Sequence, residues 1–189
     1  MKIPRILLAA GSSGSGKTLI TCGLLEALVE RGLKTASFKC GPDYIDPMFH
    51  TQVIGTKSRN LDTFFTGEDI TRSLLAKNSA DCEIAVMEGV MGFYDGVAGI
   101  TTRASAYDLA RVTDTPVLLI VNSKGMSVSL AAYIKGFMEY KKDSHIKGVI
   151  FNQMSPMLYP RMKKLIEEEL GIKVLGYVPR VEDLSLIHI

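Results

Sequence analysis

The segment Gly11-Ser12-Ser13-Gly14-Ser15-Gly16-Lys17-Thr18 constrains this chain more than any other feature. It fits G-x-x-x-x-G-K-[S/T] in full, with an apolar run at residues 6–10 before it and a helical pattern at residues 17–31 after it. A strand, a glycine-rich loop and a helix start, in that order, aim backbone N–H groups and the positive end of a helix dipole at one point. That point suits phosphate. The residues from Gly11 to Gly16 form the cradle, Lys17 can reach the β- and γ-phosphates of a nucleotide, and the Thr18 hydroxyl can ligate magnesium. A Gly/Ser-rich turn that merely caps a helix accounts for the composition but not for the setting. The loop leaves the use of the energy open, because kinases, GTPases, partitioning ATPases and ATP-dependent ligases share it.

The rest of the chain continues the alternation. Strands are expected at residues 34–40, 83–87, 117–121, 147–151 and 173–178, and helices at 69–77, 102–112, 127–140 and 160–170. In the helix at 160–170, Met162, Leu165, Ile166 and Leu170 share a face, and Gly171 follows as a stop. Such alternation predicts an α/β fold, a mostly parallel sheet of the P-loop NTPase type with helices on both faces. Ligands then gather at the carboxyl ends of the strands.

Bulk properties agree with one ordinary domain over residues 1–189. The chain is 47% apolar and 22% charged, and a net charge of +2 gives no argument for nucleic acid or a membrane surface. Cys22, Cys40 and Cys82 are odd in number and form no C-x-x-C pair, which argues against a disulfide framework or zinc site and fits a reducing cytoplasm. The apolar runs fall far short of the roughly 20 residues a spanning helix needs. The apolar start has a signal-peptide flavour but runs straight into the phosphate loop.

Three more strand ends carry unusual polar residues. After the second strand comes Lys39-Cys40-Gly41-Pro42-Asp43-Tyr44-Ile45-Asp46, where Lys39 can face phosphates. Asp43 and Asp46 are either oxygen ligands for a hard cation or parts of an ordinary turn. The apolar run at 84–87 ends in Glu88, a Walker-B arrangement that carries a negative charge toward magnesium, and Gly89, Gly92, Asp95 and Gly96 follow it. Asn152 ends another strand. Its amide either pairs with the edge of adenine or closes a turn, and the absence of N-K-x-D favours ATP over GTP.

Taken together, these segments resemble the ATP-binding domain of the cobyrinic acid a,c-diamide synthase family, which includes the hydrogenobyrinate and nickel-sirohydrochlorin versions. The matching stretches are the phosphate loop, F-K-C-G-P-D-Y-I-D-P at 38–47, S-R-N-L-D at 58–62, E-G-V-M-G-F-Y-D-G at 88–96, G-V-I-F-N at 148–152 and L-G-Y-V-P-R at 175–180. The resemblance implies a dethiobiotin-synthetase-like fold. It implies amidation of the a and c acetate groups of a corrin-type tetrapyrrole through an acyl phosphate made with ATP and Mg²⁺. On it, Lys17 and Lys39 neutralise phosphate charge, Thr18, Asp43 and Glu88 hold magnesium, and Asp95 lies near the reaction centre. Tyr44, Ile45 and Asp46 face the tetrapyrrole, and Asn152 reads adenine with Pro179 and Arg180 packed nearby.

The family continues into a glutaminase domain with a cysteine nucleophile and a histidine partner. No cysteine here sits in that context, and His50, His145 and His188 form no recognisable partner arrangement. The closing Leu184-Ser185-Leu186-Ile187-His188-Ile189 looks like a translated sequencing adapter, so a truncated gene is expected, with ammonia free or delivered by a separate domain or subunit. Two rival readings share the loop. Dethiobiotin synthetase usually has threonine and aspartate where Ser12-Ser13-Gly14-Ser15 stand, and MinD/ParA-like ATPase switches carry an extra early lysine that is missing here.

Overall fold

The computed structural model describes residues 3–181, so the closing hexapeptide, with His188, lies outside the described residues. The strands are β1 (Arg5–Ala10), β2 (Thr35–Cys40), β3 (Lys57–Leu61), β4 (Ile84–Glu88), β5 (Val117–Asn122), β6 (Ile146–Asn152) and β7 (Lys173–Val178). The helices are α1 (Lys17–Glu30), α2 (Ile45–Gln52), α3 (Thr63–Asn78), α4 (Ala106–Thr113), α5 (Ser129–Glu139) and α6 (Tyr159–Leu170). The strands form one seven-stranded sheet in the order β3-β2-β4-β1-β5-β6-β7. Every pairing is parallel.

Alternation along each strand sends successive side chains to opposite faces. Leu7, Ala9, Ala36, Phe38, Cys40, Ala85 and Met87 pack on one side with Leu75, Leu109, Ile134 and Ile166 from α3, α4, α5 and α6. Leu8, Ala10, Val86 and Ile120 pack on the other side against Leu25 of α1 and Phe49 of α2. Both faces are covered, as a parallel sheet requires. The chain leaves β1 toward the α1 face and leaves the adjacent β4 toward the α4 face. Connections that diverge from neighbouring strands open a crevice at the strands' carboxyl ends.

Four local expectations need correction. β3 was not expected as a strand: Lys57-Ser-Arg-Asn-Leu is polar because it is the sheet edge, where charged residues discourage further pairing. α2 hides in a stretch that reads as a turn, since Pro47 sits where a helix's first turn needs no N–H. The helix expected at 69–77 begins at Thr63, capped by Asp62 accepting from the Phe64 N–H and interrupted at Gly67, and the one expected at 102–112 begins at Ala106, capped by Ser105.

Leu119 lies at 0% exposure in β5, and Met157 is 85% exposed. Leu119→Ala is expected to cost about 2–5 kcal/mol in urea denaturation. Met157→Ala is expected to stay within about 0.5 kcal/mol. Equal effects would mean that the core does not sit where the sheet puts it.

Candidate functional site

The phosphate loop spans the gap between β1 and α1, at the crevice. Gly16 has φ 90°, a conformation that disfavours L side chains, and a Cβ there would lie 2.2 Å from Asn152 Nδ2. Asn152 Nδ2 donates to the Ser15 carbonyl at 2.9 Å, and Asn152 Oδ1 accepts from the Gln153 N–H at 3.0 Å. The side chain that ends β6 therefore braces the loop. Asn152 is buried. Pro179 is exposed and follows β7, whose Val178 pairs in register with Asn152. On the other flank, a Cβ at Gly11 would lie 1.8 Å from the Tyr133 hydroxyl. Ser12 and Ser15 join hydroxyls at 3.1 Å.

Lys17 is nearly buried and turns back over the loop, donating to the carbonyls of Ser12 at 3.0 Å and Met91 at 2.7 Å. Burial, with the positive charge of Lys39 added, pulls its ammonium below the ordinary lysine range against the pull of Glu88 and Asp95. Thr18 Oγ1 donates to Glu88 Oε1 at 2.6 Å.

Register brings the charges together. β2 and β4 pair with Lys39 opposite Glu88, and both point to the face that carries α1 and α2. Lys39 Nζ is 2.7 Å from Glu88 Oε1, 2.5 Å from Asp46 Oδ2 and 4.0 Å from Asp43 Oδ2. Burial pulls Lys39 down, but the Glu88 charge and the hydrogen bonds to Asp46 and Glu88 outweigh it, so Lys39 stays above its ordinary range. Burial pushes the fully enclosed Glu88 carboxyl up, opposed by Lys39 and Thr18. Asp43 closes the turn that leads into α2. Its Oδ1 accepts the N–H groups of Ile45 and Asp46 at the start of α2, and its Oδ2 faces Lys39.

Tyr44 and Ile45 stand out into solvent at 80% and 76% exposure beside this charge cluster. Asp95 is exposed and folds back to accept the Gly92 N–H at 3.0 Å. A depression of 720 Å³ opens beside it, lined by Asp95, Ile100, Tyr133, Phe137 and Tyr140 among others. Two residues that sequence reasoning missed lie beneath the cluster. His50 of α2 is fully buried, with Nδ1 2.7 Å from the Ser37 hydroxyl and Nε2 3.8 Å from Glu88 Oε2. Burial lowers its imidazole below the ordinary range. The available signal was the spacing Ser37-x-Lys39, which puts the serine on the same strand face as the lysine.

The donor set fits a magnesium ion carried on phosphate. Glu88 Oε1 meets the Thr18 hydroxyl of the phosphate loop, and the Lys39 ammonium stands among three carboxylates as a cation does. Among the described residues no three His, Cys, Asp or Glu side chains form a metal cage. Magnesium bound through nucleotide phosphates takes only one or two protein carboxylates and keeps water.

Residues 6–188 match the family model described as the CobQ/CobB/MinD/ParA nucleotide binding domain. The cobyrinate a,c-diamide synthase of Priestia megaterium is 42% identical over 96% of this chain and 40% of that protein. That of Clostridium acetobutylicum is 44% identical over 96% of this chain and 41% of its own length. The hydrogenobyrinate a,c-diamide synthase of Streptomyces coelicolor is 40% identical over 94% of this chain and 37% of its own. The chain thus spans about 40% of the length of the curated relatives it matches. Among solved structures, chloroplast FtsY from Physcomitrella patens superposes with TM-score 0.70 at 11% identity, covering 96% of this chain and 60% of that one. Cell division protein FtsY from Thermotoga maritima gives 0.70 at 13%, covering 95% and 63%. These two speak to the P-loop NTPase fold alone.

Two predictions follow from the burial of these groups. Lys39→Met leaves the Glu88 carboxylate buried with one hydroxyl donor and is expected to cost about 3–5 kcal/mol in urea denaturation, most of it recovered when Glu88→Gln is added. A double variant as unstable as the single one would dismiss the pair as the cause. Burial pushes the Cys40 thiol to about 12 and the Cys22 thiol to about 11. Only the thiolate reacts, so at pH 8 iodoacetamide should leave both unmodified until the chain is unfolded, as read by peptide mass.

Proposed function

Since the chain belongs to the CobQ/CobB/MinD/ParA nucleotide binding domain family, we propose that it binds ATP with magnesium and activates a carboxylate of a corrin-type tetrapyrrole for amide formation. The observation that carries this reading is the convergence of Lys17, Thr18, Lys39, Asp43, Asp46 and Glu88 at the carboxyl ends of β1, β2 and β4. The substrate class rests on the similarity to cobyrinate and hydrogenobyrinate a,c-diamide synthases.

The chemistry needs an activated carboxyl, because a free carboxylate at neutral pH resists nucleophiles. A substrate carboxylate oxygen attacks the γ-phosphorus of ATP, the bond to the bridging oxygen breaks, and ADP leaves. Ammonia then attacks the acyl carbon of the resulting acyl phosphate, phosphate departs with the bonding pair, and the nitrogen loses a proton. Lys17 and Lys39 neutralise the charge that spreads over the phosphoryl oxygens in transfer. Magnesium, when bound, draws negative charge from the phosphate oxygens. Thr18, Asp43 and Glu88 are the residues that would hold it.

Tyr44, Ile45 and Asp46 meet the tetrapyrrole, the first two offering exposed apolar surface to a macrocycle. Asp95 lies toward the reacting carboxyl. Asn152 and Pro179 border the base, with Asn152 fixing the loop as well. Ammonia arrives free or from a glutamine-hydrolysing domain or subunit. Three free cysteines agree with a reducing cytoplasm, and no helix among the described residues is long and apolar enough to cross a membrane.

The test is ATP turnover with Mg²⁺ and ammonium, with and without cobyrinic acid, and product mass. Two successive replacements of OH by NH₂ are expected. Lys17→Ala should lower turnover about 100-fold or more. ATP turnover indifferent to any tetrapyrrole would sink the ligase reading in favour of a MinD/ParA-like switch.

A further inference from the structure

Two polar atoms inside the protein lack partners and face each other. His50 Nε2 and Glu88 Oε2 both lie in fully buried side chains, neither makes a hydrogen bond, and they are 3.8 Å apart. A buried polar atom without a partner costs about 1–3 kcal/mol, so two of them pointed at each other call for a reason. The rest of the imidazole supplies one. Its Nδ1 lies 2.7 Å from Ser37 Oγ, and Ser58 Oγ donates to that same oxygen at 3.5 Å. The Ser37 hydroxyl can serve either tautomer, donating to a bare Nδ1 or accepting from a protonated one. What Nε2 faces decides the matter and puts the ring proton there. The opposite tautomer would aim a lone pair at a carboxylate that Lys39 keeps charged.

We propose that His50 is a positioning residue for Glu88: its Nε2–H closes onto Glu88 Oε2 and, together with Thr18 and Lys39 on Oε1, fixes the plane of the carboxylate that faces magnesium. The inference rests on the reading of Glu88 as a carboxylate turned toward nucleotide-borne magnesium. The arrangement Ser58–Ser37–His50–Glu88 runs across β3 and β2 to α2 and β4, with Ser37 opposite Ser58 and Lys39 opposite Glu88 in register. A carboxylate held at both oxygens keeps one orientation as the cation comes and goes. One held only at Oε1 can rotate about its terminal torsion, which is broad and shallow.

Two measurements on the intact chain test this. Imidazole ¹⁵N shifts of ¹⁵N-histidine-labelled protein should show His50 protonated at Nε2 and bare at Nδ1, with the Nε2 signal moving in Glu88→Gln. A proton on Nδ1 overturns the proposal without any variant having to fold. Manganese binding in the presence of the β,γ-imido analogue of ATP, read by electron paramagnetic resonance, gives the consequence. His50→Asn keeps an atom near Nδ1 but loses the donor at Nε2, and should weaken Mn²⁺ by about 10–100-fold, whereas His50→Gln, which keeps that donor, should stay within about 3-fold. Nucleotide binding in EDTA should be equal in all three proteins. If Asn and Gln variants bind Mn²⁺ alike, whether both at wild-type strength or both weakened along with their melting temperatures, the histidine acts only on folding and the proposal falls. Wild-type protein that holds no Mn²⁺ on the nucleotide would instead overturn the magnesium reading, and the tautomer would still decide the hydrogen bond.

Discussion

A lysine and a glutamate stand side by side on adjacent parallel strands, both almost sealed from water, and the candidate site is arranged around them. Neither was placed by its own charge. Ala36, Phe38 and Cys40 point into the larger half of the core, so Ser37 and Lys39 must point to the other face. Ala85 and Met87 do the same for Val86 and Glu88. A slip of one residue in β2 would turn three apolar side chains out of the core and carry Lys39 away from Glu88 at once. The apolar pattern therefore specifies a polar geometry. The ion pair adds little net stability of its own, because two desolvated charges cost about what their attraction returns. What it adds is a defined place for charge.

That division explains what could be read from the sequence. The phosphate loop was legible because its function demands glycines and a lysine in fixed order between a strand and a helix. Lys39 and Glu88 were legible as strand ends, since a charged residue closing an apolar run is uncommon unless something meets it. The parallel sheet followed from alternation alone. β3 escaped because an edge strand has little to bury, and α2 because Asp-Pro at its start reads as a turn. His50 escaped for a related reason. A lone histidine in a short helix carries no signal until the fold shows which strand lies beneath it.

Asn152 marks a different limit. Its type and place at a strand end suggested the edge of a base, and its buried amide bonds the Ser15 carbonyl, 137 positions earlier in the chain. Pairings at such separation depend on sheet order, which local pattern does not contain. Strand order also decides which residues meet around the loop: β4 and β5 flank β1, so the segments that frame residues 11–18 come from the middle of the chain and beyond.

This brace has a consequence for how the protein comes into being. The loop precedes its supports along the chain: β1 has no sheet neighbours until β4 and β5 exist, and the loop has no strut until β6 has paired. The loop thus depends on strands that are made well after it. The Asn152 strut can close onto the Ser15 carbonyl only once β6 is in place, which ties the shape of the cradle to the assembly of the sheet that supports it.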